Sequence, residues 1–159
     1  WKDATPDVYP DWLQIDFNGS KTVNEVVIYS VRDDYTSYSD PSENETFSLY
    51  GVTNFDVQYW NGSAWITVPN GNITSNNRVV RRITFSPVTT TGIRVVVNNA
   101  LANYSRIVEV EAWTPGTGNA SVAEAVYDLQ QPDAANVTFV ARLFGWSDYA
   151  YRALRSNLL

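Results

Sequence analysis

Two segments of this chain alternate large apolar side chains with polar ones at a period of two. They are Pro10-Asp-Trp-Leu-Gln-Ile-Asp-Phe17 and Tyr104-Ser-Arg-Ile-Val-Glu-Val-Glu-Ala-Trp113. Successive side chains of an extended strand point to opposite sides, so this period builds a half-buried sheet and gives a helix no continuous apolar face. The same reading predicts strands at 11–17, 23–31, 55–60, 64–68, 79–85, 92–98 and 106–113. Asn18-Gly19 and Asn61-Gly62 read as tight hairpin turns, where Asn and Gly accept positive φ, and Pro69-Asn-Gly71 and Pro87 break later intervals. Seven strands at this spacing predict an all-β fold, an antiparallel, jelly-roll-like β-sandwich over residues 1–114. Its expected core includes Trp12, Ile15 or Phe17, Val57, Trp65, Ile83, Val95 and Ile107.

Residues 115–120 are a linker by composition, and the chain changes character after them. Ser121 with Glu124 forms a capping-box pattern, and Val122, Ala125, Val126 and Leu129 recur at helical spacing up to Pro132. Asn136 to Leu143 alternates like a strand, and Ser147 to Leu159 reads as a second helix. This helix-strand-helix appendage, 121–159, is too small to hold a core of its own. Val122, Val126, Leu129, Phe139, Leu143, Phe144, Trp146 and Leu154 are expected to be buried against something else. Two destinations are open, the edge of its own sandwich or a neighbouring copy of the chain. The reach of the Gly-rich linker favours the neighbour.

Charge and residue types exclude several functions. Eleven Lys and Arg against 17 Asp and Glu leave a net charge of −6, and no basic cluster exceeds Arg81-Arg82. Binding to a phosphate backbone or to an anionic membrane surface needs a basic footprint that is missing here. No apolar run approaches the roughly 20 residues of a membrane span. The absence of His and Cys removes the commonest general base, the thiol nucleophile and the usual zinc ligands. The sequence has no initiator Met or signal peptide, as expected of a mature product or a fragment. Glu109 with Glu111, and Asp33 with Asp34, are the available carboxylate pairs. Alternating Glu on a sandwich strand is most often a solvated face, and no insertion builds a pocket around it, so the chain reads as non-catalytic.

The long connection from Arg32 to Leu49 is rich in Tyr, and connections of this length in a compact domain are commonly functional. Four pieces occur in a distinctive order: Trp1-x-Asp-Ala-Thr5, Tyr9-Pro-Asp-Trp-Leu-Gln-Ile-Asp-Phe17, Asp56-Val-Gln-Tyr-Trp-Asn-Gly-Ser-Ala-Trp65 and Ser105-Arg-Ile-Val-Glu-Val-Glu-Ala-Trp113. In these pieces the chain resembles the discoidin, or coagulation factor V/VIII C-type, domains, which include the family 32 carbohydrate-binding modules. The resemblance covers roughly residues 1–114. It implies a non-catalytic module that recognises sugar through loops at one end of the sandwich. Arg32, Asp33 and Asp34 match the position after the second strand, and Asn98, Asn99 and Tyr104 the loop before the closing strand. There Arg, Asp and Asn would bracket hydroxyls while a ring covers the C–H face of a pyranose. The alternative is that Arg32 pairs with Asp33 or Asp34 and that Tyr104 packs on the sandwich edge. The resemblance also implies a calcium site, but the opening strand and loop that supply most of its ligands have no counterpart before Trp1. Glu109 and the Ala112 carbonyl are the remaining candidates, against the six to eight oxygens calcium takes.

Asn18, Asn44, Asn61, Asn72, Asn103, Asn119 and Asn136 each begin an Asn-x-Ser/Thr triplet, where composition alone predicts about 2.5. Asn18 and Asn61 have a turn to explain them. Asn44, Asn72, Asn103, Asn119 and Asn136 remain as candidate glycosylation sites, which would place the chain outside the cell or on its surface. The leading reading is an extracellular module binding glycans or cell-surface carbohydrate. The alternative is a structural subunit of an extracellular filament or surface assembly, polymerising with copies of itself by strand or tail exchange.

Overall fold

Alternation becomes burial along β1 (Asp11–Ser30). Leu13, Ile15 and Phe17 are buried, while Trp12, Gln14 and Asp16 face outward and are half-buried. This computed structural model describes residues 1–37 and 39–115, together with the strands at 124–126 and 136–142. β2 (Val52–Trp60), β3 (Trp65–Ile73), β4 (Val80–Ala100) and β5 (Ile107–Trp113) complete the sandwich. The strand order is β3-β2-β4-β1, and β5 also pairs with β1. All these pairings are antiparallel.

β1 and β4 organise the whole arrangement. Asp11–Asp16 pair with Val97–Gly92, and Lys21–Tyr29 pair with Thr90–Val80, so each strand runs through both leaves of the sandwich. Asn18-Gly19 therefore does not reverse the chain. The segment between Asp16 and Lys21 is an irregularity in one long strand, with Gly19 at φ +79°. Pro87 likewise lies within β4, next to the register shift between Val23 and Glu25. Bulges of this kind bend and twist a strand, which lets one strand serve two leaves. The expected hairpin at Asn61-Gly62 forms, but by another device. Asn61 Oδ1 accepts from the Ser63 and Ala64 amides at 2.9 and 2.8 Å, and Gly62 takes the positive φ. Pro69-Asn-Gly71, read as a break, lies inside β3 at a register shift, with Asn70 at φ +62°.

Between the leaves lies one core, including Ile15, Phe17, Val26, Phe55, Val57, Ile83, Ile93, Val95 and Ile107. Ile15, Phe17, Val57, Ile83, Val95 and Ile107 are where alternation put them. Trp12 and Trp65 are not: both are half-buried on the opposite parity, outside the core. A second small cluster, Val27, Phe47, Val79 and Val80, forms where the long 31–51 connection folds back over the outside of β1. The Phe47 amide donates to Asn77 and the Val79 amide to Glu45, which fixes that connection to the sheet.

Beyond Pro115 the described residues are strands β6 (Glu124–Val126) and β7 (Asn136–Arg142). β7 pairs with β6 and lies parallel to β1, from Trp12↔Asn136 to Phe17↔Ala141. The strand expected over 136–143 is present. Residues 124–126, expected within a helix, are extended instead, because they gain sheet hydrogen bonds that an isolated short helix cannot match. The rest of that helix and the one expected over 147–159 lie outside the described residues. Within this chain β7 pairs with the edge of β1 on the side away from β4.

Candidate functional site

The ends of β1 and β4 and the starts of β2 and β5 meet at one end of the sandwich. Ser30 is opposite Ile107, and Val52 is opposite Ala100. The buried Ser30 hydroxyl accepts from the Val52 amide at 2.8 Å, and the Leu101 amide donates to Gly51 at 3.0 Å. Residues 1–9 join the same end, with the Asp3 amide on Ser105 O and the Asp7 amide on Asn103 O. Three separate stretches, 1–9, 31–51 and 101–106, are thereby brought together.

Arg106 is the centre of this end. Its Nη1 donates to the Leu101 and Tyr104 carbonyls and its Nη2 to the Ala102 carbonyl, each at 3.2 Å. The loop it gathers includes Ala102 and Asn103 at φ +52° and +67°, a left-handed pair that Asn tolerates and Ala resists. The Arg106 guanidinium also lies 5.1 Å from the Tyr104 ring centroid and 5.7 Å from that of Tyr50. Lys2 Nζ is 3.8 Å from the Tyr104 centroid. Tyr50 meets Tyr35 edge-on at 5.9 Å, and Tyr35 is 52% exposed. Arg106 thus bridges the Tyr35–Tyr50 pair and Tyr104, with Lys2 also on the Tyr104 ring, a combination of C–H-binding faces and hydrogen-bond donors suited to a sugar.

Of the residues nominated from sequence, Asp33 and Tyr104 lie in this assembly, but their partners differ from expectation. Asp33 accepts from the Ser48 amide and hydroxyl and from the Leu49 amide at 2.8–3.0 Å. Burial opposes its charge, but these hydrogen bonds outweigh it and hold its carboxyl below the usual range. Its work is to set the turn that presents Tyr50. Arg32 pairs with neither Asp33 nor Asp34. It grips Glu45 through Nε at 3.0 Å and Nη2 at 3.2 Å, with its side chain only 11% exposed, and so braces the long connection. Asp34 is exposed and accepts from the Thr36 hydroxyl at 2.6 Å. Asn99 is exposed at the same end and accepts from the Thr53 hydroxyl at 3.3 Å. Asn98 departs from the group: it points onto the outer sheet face, donating to Asp56 Oδ2 at 2.8 Å. Lys2, Tyr35, Tyr50 and Arg106 were not nominated. Tyr104 and Arg106, at i and i+2 on extended chain, share a side, which was the one legible signal for Arg106.

Glu109 and Ala112 lie along β5, and among the described residues no group of three or more acidic side chains gathers that could hold a metal. Glu111 accepts from Tyr29 Oη at 3.3 Å and Trp113 Nε1 at 2.9 Å, so this carboxylate fastens the strand surface. Asn44, Asn72 and Asn103 are exposed. Asn119 lies outside the described residues, and Asn136 begins β7.

A family model described as the NedA-like, galactose-binding domain of the F5/F8 type C group matches residues 1–107. Among solved structures, the family 32 carbohydrate-binding module of Streptococcus pneumoniae EndoD is similar at 18% identity and a TM-score of 0.54, over 72% of this chain and 75% of that one. Chitosan-binding module 1 of a Paenibacillus sp. IK-5 chitosanase/glucanase, as a V110M mutant, is similar at 20% identity and a TM-score of 0.51, over 68% and 71%. Module 2 of that enzyme, in complex with chitotriose, is similar at 18% identity and a TM-score of 0.50, over 68% and 72%. No curated protein matches the chain.

Proposed function

The chain belongs to the F5/F8 type C family of galactose-binding-like domains, and we propose that it is a non-catalytic carbohydrate-binding module acting outside the cell or on its surface. The observation that carries this reading is the gathering of the Tyr35–Tyr50 pair and Tyr104 around Arg106, with Lys2, at the loop end. Arg106 and Lys2 donate to ligand hydroxyls, Asp34 and Asn99 add polar partners at the rim, and a tyrosine ring covers the C–H face. Arg32 and Asp33 hold the loops in place. The similar modules from Streptococcus and Paenibacillus, one of them solved with chitotriose, support carbohydrate as the ligand class. Candidate glycosylation at Asn44, Asn72, Asn103, Asn119 and Asn136 accords with an external location, and mass spectrometry of native peptides tests it. Residues 121–159 act as a docking extension of the 1–114 sandwich. The test of the function is calorimetric titration of the full chain with galactose and with chitotriose, backed by a glycan array. Saturable binding to either sugar supports the module. Silence across the array removes it.

A second reading rests on β7. Its parallel pairing with β1 is made by a segment that comes after a Gly-rich linker, so the same pairing made between copies would link them head to tail. The chain would then build a filament or surface assembly. Sedimentation of the full chain beside a form ending at Thr114 separates the two. Polymers only from the full chain favour the assembly, and monomers from both favour the module.

A further inference from the structure

The outer face of the β3-β2-β4-β1 leaf lies away from the loop end and takes no part in the loop-end site. Strand register sets three rows of side chains across it. Trp65 and Trp60 are opposed in the first row, with ring centroids 5.6 Å apart. Gly92 of β4 is next in that row. A Cβ there would meet Ile15 O at 3.0 Å, Asp16 Oδ1 at 3.1 Å and the tip of the Trp65 ring at 3.4 Å, so the Trp65 indole extends across the sheet to bare backbone. The second row is Thr67, Gln58, Arg94 and Gln14. Arg94 donates to Gln58 Oε1 through Nε at 3.1 Å and Nη2 at 2.6 Å, and its guanidinium lies 4.7 Å from the Trp65 centroid. The third row is Asn72, Asp56, Val96 and Trp12, and the amides of Asn72 and Asn98 fix the two oxygens of Asp56 at 2.6 and 2.8 Å.

This surface spans about 14 Å from Trp60 to Asp56 along β2, and about the same across four strands, with the Trp60 and Trp65 ring planes tilted by 59° to each other. Its one guanidinium and two carboxylates are engaged by neighbouring amides, so it offers no concentrated charge to an ionic ligand. Val96 is the one aliphatic side chain in the three rows, and the apolar surface is otherwise the indoles of Trp60, Trp65 and Trp12. What the face does offer is indole surface beside side-chain amides already held in position. We propose that this face is a second binding surface, for an extended, uncharged, β-linked polysaccharide chain. Such a chain is a ribbon with apolar C–H faces and hydroxyl edges. The C–H faces lie on Trp60 and Trp65, and the hydroxyls meet Gln58, Arg94, Asp56 and Asn98. The surface stands independently of the loop-end site, so either could fail without the other.

The test is titration of the full chain with cellohexaose, following the indole N–H signals of its six Trp by NMR. Trp60 and Trp65 signals, assigned from Phe substitutions, should move saturably. The movement should persist in Tyr104→Ala, which touches only the loop end. It should need about tenfold more cellohexaose in Gln58→Ala or Trp65→Ala, the scale of one lost ring or amide contact. Static Trp60 and Trp65 signals in the wild type overturn the proposal, whether or not a variant folds. So do signals that track protein concentration instead of cellohexaose, which would make the face a contact between copies. A parallel galactose titration reads the loop end separately.

Discussion

The Lys2 ammonium lies 3.8 Å from the centroid of the Tyr104 ring. The ring that sequence offered for stacking on a sugar is therefore already covered by a cation, and a ligand must displace Lys2 or share the ring with it. Tyr104→Ala should weaken galactose binding by about 1 kcal/mol, the worth of one aromatic contact. Lys2→Ala should also weaken binding, because an ammonium that donates to the ligand is lost; unchanged or stronger binding would mean that Lys2 merely covers the ring. Calorimetric titration of both variants decides between these roles. An unaltered affinity in Tyr104→Ala would remove that ring from the site.

Arg106→Leu should destabilise the fold by about 1–2 kcal/mol, because three loop carbonyls lose a charged donor at once. The readout is the urea midpoint, with amide exchange rising first over 101–105. A uniform change in exchange across the chain would mean that Arg106 does not hold this loop.

Gly71 is buried, and its φ is not the reason for it. A Cβ there would meet Val68 Cγ2 at 2.6 Å and the Val57 and Val68 carbonyls at 2.9 Å. Backbone atoms cannot rotate away, so Gly71→Ala should cost about 1–3 kcal/mol by overpacking. Gly62→Ala meets no atom within 4 Å and is strained only through its φ of +102°. Thermal melts of the two variants separate crowding from conformational strain.

Asp11 is buried beside Ser105, whose hydroxyl donates to it at 2.5 Å. Burial raises its carboxyl above the ordinary value of 3.8, the Ser105 bond opposes this, and the Asp3 charge adds to it. A carboxyl raised in the folded state holds its proton more tightly there than in the unfolded chain. Its contribution is therefore full below pH 3.8 and is lost as pH rises through the folded value. Asp11→Asn should then gain on the wild type as pH rises from about 4 to 7. Urea midpoints across that range measure it. Parallel curves for the two proteins would mean that Asp11 titrates as it does in the unfolded chain.

Strand content, the core parity of Ile15, Phe17, Val57 and Val95, the Asn61 hairpin and the order of the family's segments were all legible in the sequence. Each depends on a local period or a turn residue, and a period of two needs no knowledge of distant chain. Tertiary structure alone decided the rest. Asn18-Gly19 could reverse a chain, yet here it bends one, because Lys21–Tyr29 find their partners on the continuation of β4. Trp12 and Trp65 lie outside the core because parity relative to Leu13 and Val68, not ring size, selects the face they occupy. Arg32 takes Glu45, 13 residues away, over its adjacent Asp33, which is already committed to Ser48 and Leu49. The loop-end site itself joins 1–9, 31–51 and 101–106, stretches that no local pattern connects. They meet because pairing β1 with both β4 and β5 leaves their connections at one end, and the alternation of residues along a strand does not encode which strands will pair.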